Sequence, residues 1–195
     1  MRDVIACDVD DILFEFYLML ALWHNELHGT DLRKDDFVSY FVHEVWQVPS
    51  EEAVRRVWQF YGTEGFRYLP VVHGAAEGVR RLAETYDLVA VTGRPHGLAP
   101  ITEDSIDRHF AGCFTAIHHT DAFGIGGGVP VPKVDVCAKI GARILIEDYQ
   151  GHALPCADAG MDVLLLDQPW NKQVSVPDGI IRVRSWDGIL AVLLR

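Results

Sequence analysis

Six short aliphatic runs punctuate the 195-residue chain, and helical stretches separate most of them, which leaves few architectures open. The runs are Val4–Cys7, Leu88–Thr92, Phe114–His118, Ile144–Glu147, Val163–Leu166 and a weaker Ile180–Val183. Between them, Ala75–Thr85, Ile101–Phe110, Val134–Ile140 and Ala153–Ala159 carry helical periodicity. Strand and helix in alternation predict an α/β fold, a Rossmann-like parallel sheet with helices on both faces.

The alternation is interrupted once, after the first strand. Residues 14–70 show no convincing strand and three helical segments: Ile12–Leu27, Phe37–Gln47, and Glu51–Phe60 with Ser50 as a plausible N-cap. We therefore expect a core of residues 1–13 and 71–195 and a small inserted α-helical cap at 14–70, standing over the carboxyl edge of the sheet. The segment is rich in aromatics, among them Phe14, Phe16, Tyr17, Phe37, Tyr40, Phe41, Trp46, Phe60 and Tyr61. Most should build the interior of a small helical unit. One or two could instead face a cleft and stack on a planar substrate.

Composition narrows the partners. A formal net charge of −11 repels phosphate polymers and anionic membranes, so we expect no nucleic-acid polymer and no membrane partner. A small phosphorylated substrate stays possible, because a bound cation and a few basic side chains can reverse the local field. Cys7, Cys113, Cys137 and Cys156 form no CxxC pair and read as reduced core residues. The N-terminus lacks the pattern of a secretion signal, which together with the cysteines predicts a cytoplasmic location. Ile12 to Leu22 is apolar nearly all round, so it is either deeply buried or a homodimer contact.

The chemistry gathers where strands end. Val4–Cys7 breaks at once into Asp8-Val9-Asp10-Asp11, placing carboxylates at the carboxyl end of a strand, where open α/β sheets bind ligands. Asp8 and Asp10, two apart on extended backbone, leave on the same side; one can bind a divalent cation and attack an electrophile while the other manages protons. Thr92-Gly93-Arg94-Pro95 ends another strand with a hydroxyl, backbone amides and a guanidinium suited to an anion. Arg94 could equally pair with a surface carboxylate. Lys133 opens a helix after the Gly124–Gly128 loop, and Glu147-Asp148 ends a third strand with oxygen ligands for Mg²⁺. His118 and His119 lack a third ligand at suitable spacing. Trp170 and Asn171 are expected to brace the core or a subunit contact.

In this order, Asp8-Val9-Asp10, Thr92, Lys133 and Glu147-Asp148, the chain resembles the haloacid dehalogenase-like (HAD) superfamily of phosphohydrolases, with a helical insertion similar to its C1-type cap. Asp167-Gln168-Pro169-Trp170-Asn171 and Arg182-Val183-Arg184-Ser185-Trp186 resemble signatures of the cytosolic-type 5'(3')-deoxyribonucleotidases. The resemblance implies that Asp8 attacks phosphorus to form an aspartyl-phosphate, and that Asp10 protonates the leaving group and then activates water. It implies phosphate binding by Thr92, Gly93 and Lys133, and Mg²⁺ held by Asp8, Asp10 through its carbonyl, and Asp148, with Glu147 holding a metal-bound water or orienting Lys133. The base would meet Phe14, Phe16 and Trp46, with Arg94 a candidate for a second anionic group. Many relatives carry Gly where Asp11 stands, so Asp11 adds negative charge beside a phosphate site.

The expected activity is thus a Mg²⁺-dependent phosphomonoesterase, foremost a 5'-nucleotidase on (deoxy)nucleoside monophosphates. A HAD phosphatase for a small metabolite such as a sugar phosphate or phosphoglycolate is the alternative, and a non-catalytic binding module on the same fold is a third. Haloacid dehalogenation does not use the acid/base carboxylate present as Asp10.

Overall fold

A computed structural model describes residues 2–195. Its sheet has six parallel strands: β1 (Val4–Cys7), β2 (Asp87–Thr92), β3 (Phe114–His119), β4 (Ala142–Glu147), β5 (Asp162–Leu166) and β6 (Ile180–Val183). Their order is β3-β2-β1-β4-β5-β6. The order reverses at β1, so the crevice for a ligand opens beyond the carboxyl ends of β1 and β4. Registers bring those ends level: Cys7 lies beside Ala90 on one side and Ile146 on the other. Asp8, Thr92 and Glu147 therefore emerge at one edge.

Both faces of the sheet are buried, and the two-residue period of the strands divides the core. Ile5, Cys7, Leu88, Ala90, Ile144 and Ile146 point to one face, against α5 (Ala75–Ala83), α6 (Ala99–Phe110) and α9 (Trp186–Leu193). Ala6, Val89, Val91, Leu145 and Val163 point to the other, against α7 (Lys133–Lys139) and α8 (Gln150–Asp158).

Between β1 and α5 lie α1 (Phe16–His28), α2 (Val42–Trp46), α3 (Ser50–Tyr61) and α4 (Glu64–Arg67), which pack on one another. Their buried aromatics continue the first of the two core clusters. The inserted helices thus share an apolar interior with the sheet face beneath them. On the outer side of α1, Leu22 and Leu27 stay exposed while Phe16, Tyr17, Leu20 and Ala21 are buried. Among the described residues no helix is long and apolar enough to cross a membrane.

Local geometry corrects the expected helix limits. Ile12 and Leu13 are not helical: they sit in a turn that opens with Asp11 at a left-handed φ of 56°, Phe14 is held in bridges to Asp10 and Val71, and α1 starts only at Phe16. Helix 37–47 shrinks to α2, because a 3₁₀ turn at Lys34–Asp36 precedes it and Gln47 ends it at φ 52°. Ser50 is the first helical residue rather than the cap, which is Pro49. The short α4, whose Thr63 hydroxyl accepts from Phe66 N at 3.2 Å, gave no periodic signal.

One packing contact ties the C-terminal helix to the acidic loop. The Trp186 ring lies on Gly78, where an added Cβ would stand 2.3 Å from Cε3, and its indole N–H donates to the Ile12 carbonyl at 2.9 Å. Gly78→Ala gains helix propensity but forces the buried indole off that carbonyl. A net loss of about 2 kcal/mol is expected, or a fall in Tm of roughly 4–8 °C, read by thermal denaturation.

Candidate active site

The centre of the site is an ammonium between carboxylates. Lys133, opening α7, is buried with Nζ 2.6 Å from Asp8 Oδ1 and 2.8 Å from Glu147 Oε2. The other oxygen of Glu147 accepts from the backbone N–H groups of Asp148 and Tyr149 at 3.1 and 3.2 Å. Asp8, Glu147 and Asp148 are all buried and bring one ligand oxygen each within 4.8 Å of one another. Burial, and then Glu147, push the Asp8 carboxyl well above its usual range against the pull of Lys133. Burial, Glu147 and Asp8 raise Asp148 likewise. Burial opposes charge on Glu147 too, yet Lys133 and the groups around it hold that carboxyl down to about 2. Three buried carboxylates around one ammonium retain an unbalanced negative charge, the donor set and charge that suit a hard divalent cation.

The loop carrying Asp148 is braced from the C-terminal segment. Asn171 Nδ2 and Trp170 Nε1 donate to the Asp148 carbonyl at 2.7 and 3.2 Å, and Asn171 Oδ1 accepts from Gln168 N. Gln168 Nε2 also donates to the Asp11 carbonyl at 3.1 Å. These residues brace the core, and they brace the site with it.

Asp10 does not join the carboxylate cluster. Its two oxygens accept from Arg94 Nε and Nη2 at 2.9 and 2.6 Å. Arg94 thus pairs with an internal carboxylate and not with one on the surface. Thr92 is buried at the end of β2; its hydroxyl oxygen accepts from Arg94 N at 3.1 Å, which leaves the hydroxyl hydrogen for another acceptor. Gly93 lines the adjoining cleft.

Asp11 is fully buried, and its charge is met by Lys34 from the inserted segment at 2.7 Å. Tyr17 N donates to its other oxygen at 3.1 Å. Burial pushes this carboxyl up to about 7 against the pull of Lys34. Lys34 also holds Glu15 at 2.7 Å, so one ammonium answers both acids of the turn. Nothing in the spacing of the sequence marks Lys34 as the partner.

The cleft above these groups has a volume of about 350 Å³. Its floor is Asp8, Asp10, Gly93, Arg94 and Asp148; its walls are largely Phe16, Tyr17, Tyr40, Phe41, Val54, Val57 and Tyr61 from the inserted segment, with Phe123 and Ile125 from the core. Trp58 Nε1 donates to the Ile125 carbonyl at 3.0 Å across the two parts. Phe16 lines the cleft, but Phe14 and Trp46 do not. Phe14 is buried edge-on against Phe110 and His109, because the bridge from Phe14 to Val71 turns it away. Trp46 stacks on His24 at 4.4 Å inside the helical segment. Phe123 and Ile125 stand just before and within the Gly124–Gly128 loop, where the sequence carries no periodic signal.

A parallel sheet with these motif positions at one edge defines a HAD-like phosphohydrolase. A solved haloacid dehalogenase-like hydrolase of Streptococcus pneumoniae superposes with a TM-score of 0.68 at 15% identity, covering 98% of each chain. A HAD hydrolase of Bacillus subtilis, solved with magnesium, gives 0.63 at 16% identity, again over 98% of both. A nucleotidase of Clostridium acetobutylicum is 23% identical over 191 residues, 98% of this chain and 93% of that one. The family model described as "5' nucleotidase, deoxy (Pyrimidine), cytosolic type C protein" matches residues 2–195, and the chain belongs to that family. It is a phosphatase of nucleotidase type.

Lys34→Met tests the turn. A carboxyl whose folded pKa is raised contributes stability that is fully present below its unfolded value, about 4, and lost as pH rises through the folded one. With Lys34 gone the folded value of Asp11 rises above about 7, so the loss widens with pH. Urea denaturation should show a small destabilisation at pH 5 and about 2 kcal/mol at pH 8, less than for a fully buried pair because Lys34 is partly exposed.

Proposed function

We propose that this protein is a Mg²⁺-dependent 5'-nucleotidase that hydrolyses (deoxy)nucleoside monophosphates through an aspartyl-phosphate on Asp8. The observation that carries this reading is the cleft: an apolar, aromatic-walled chamber of about 350 Å³ that opens directly onto Asp8, Asp10 and Asp148. A phosphate at the carboxylates places the rest of the ester against Phe16, Tyr17, Tyr40 and Tyr61, surfaces that favour a flat base over a small polar sugar or phosphoglycolate. We take residues 14–70 as the cap that supplies this wall, and 1–13 with 71–195 as the core that supplies the chemistry.

In this mechanism Asp8, held by Lys133, presents an oxygen to phosphorus, and splitting hydrolysis into two displacements lowers each barrier. Lys133 and the Thr92 hydroxyl bind phosphoryl oxygens, Gly93 lets them approach, and Asp10 moves the proton. Asp8, Asp148 and the Asp10 carbonyl would hold Mg²⁺, with Glu147 orienting Lys133; the ion supplies neutralisation of the carboxylates and of the phosphoryl charge. The donor set fits, and the magnesium bound to the Bacillus subtilis relative supports the choice.

Phosphate release should be followed for a panel of nucleoside monophosphates, sugar phosphates and phosphoglycolate. Release from the nucleotides that stops with EDTA, returns with Mg²⁺ and falls by roughly 10⁴-fold or more in Asp8→Asn is the expected result. Preference for a sugar phosphate or phosphoglycolate would overturn the substrate assignment. Mg²⁺ at about 100 times its Kd should also stabilise the protein by roughly 2.7 kcal/mol, and Asp148→Asn should abolish that gain in a thermal melt.

A further inference from the structure

The Arg94 guanidinium is fixed on every side that matters. Nε and Nη2 fork onto the two oxygens of Asp10 at 2.9 and 2.6 Å, and Nη1 donates to Thr102 Oγ1 at 3.1 Å. Thr102 in turn donates to the Leu98 carbonyl at 3.0 Å, which aims its lone pair at the arginine. The arginine Cζ lies over the Phe66 ring, 4.7 Å from the ring centroid. Arg94 is 3% exposed, whereas the Asp10 side chain retains 24% of its surface toward the cleft. A group so committed is poorly placed to grip an arriving substrate, and well placed to aim the carboxylate it holds.

We propose that Arg94 is a positioning residue that acts through Asp10, locking the carboxylate plane so that its free lone pairs face the leaving-group oxygen. This rests on the reading of Asp10 as the acid and base of the reaction. In the first step an Asp8 oxygen bonds to phosphorus while the phosphorus–ester bond breaks; its electron pair stays on the ester oxygen, which takes the proton from Asp10. In the second, a water oxygen bonds to phosphorus, its proton passes to Asp10, and the bond to Asp8 breaks with its pair returning to the carboxylate. The fork uses one lone pair on each Asp10 oxygen and leaves the others for that proton. An Asp10 without the fork can turn toward Lys133 or a metal. A misplacement of about 1 Å costs on the order of 10²-fold in rate.

The test compares two leaving groups in the Mg²⁺-loaded, full-length protein. A deoxynucleoside 5'-monophosphate releases an alkoxide that needs a proton, whereas 4-nitrophenyl phosphate releases a phenolate that does not. Arg94→Gln should lower kcat for the nucleotide by about 10²-fold with KM little changed. The single-turnover release of 4-nitrophenol should fall by no more than several-fold, with the release of phosphate lagging behind it. Asp10→Asn should show the same split more strongly. Thr102→Val, which loosens the guanidinium without touching the site, should show it more weakly, and it guards against misfolding of the arginine variant. Equal losses for both leaving groups in Arg94→Gln and Thr102→Val, with the split intact in Asp10→Asn, would overturn the proposal alone. No split in Asp10→Asn would overturn the acid/base reading beneath it.

Discussion

Everything in the site depends on Lys133. Three carboxylates buried at one sheet edge would repel one another strongly enough to shed their charge or separate, and the ammonium between Asp8 and Glu147 keeps two of them in place. Glu147 is the best compensated, with Lys133 on one oxygen and two backbone N–H groups on the other, and it is the one carboxyl of the three held low. Asp8 and Asp148 carry the residual cost, raised by burial and by their neighbours. The division has a chemical use. The satisfied acid is a fixture, while the two unsatisfied ones gain most from a metal ion.

The strand ends alone do not hold those groups still. Segments remote in the chain finish the job: Asn171 and Trp170 on the Asp148 carbonyl, Gln168 on the Asp11 carbonyl, and Trp186 on the Ile12 carbonyl. Backbone acceptors in the loops after β1 and β4 would otherwise be orphaned where water is excluded. The C-terminal third thus closes the sheet with β6 and α9 and also satisfies the loops that carry the acids.

The central strands β1, β2, β4 and β5 were legible because each is a mostly aliphatic run buried on both faces, whereas the edge strands β3 and β6 are only partly buried; the acids that end β1 and β4 reach one edge because parallel strands share their direction. Less could be read where a contact depends on three dimensions. Arg94 and Asp10 are 84 residues apart, and Lys34 meets Asp11 from the far side of α1 in the chain, so neither pairing leaves a periodic trace. Phe14, Phe16 and Trp46 look alike in sequence; only the left-handed turn at Asp11 and the bridge to Val71 decide that Phe16 faces the cleft and Phe14 the core. The departure at Asp11 is explained by the same geometry. Its positive φ is a conformation Gly takes freely and Asp tolerates, and Lys34 meets the added charge.

Charge then sets the conditions for the chemistry. The chain carries a formal net charge of −11, yet any phosphate ester that a phosphatase takes is an anion. Three cations that meet the acids around the cleft are each already engaged: Lys133 with Asp8 and Glu147, Arg94 with Asp10, and Lys34 with Asp11 and Glu15. Each pairing cancels positive charge that a phosphate dianion would need, so these side chains shape a binding site without making it attractive. On the mechanism proposed above, a divalent ion held by Asp8 and Asp148 would supply the attraction, and Lys133 would offer its ammonium to a phosphoryl oxygen. On that reading, a protein of this charge would repel a phosphate ester without the ion, and with it the same carboxylates would become the means of binding one.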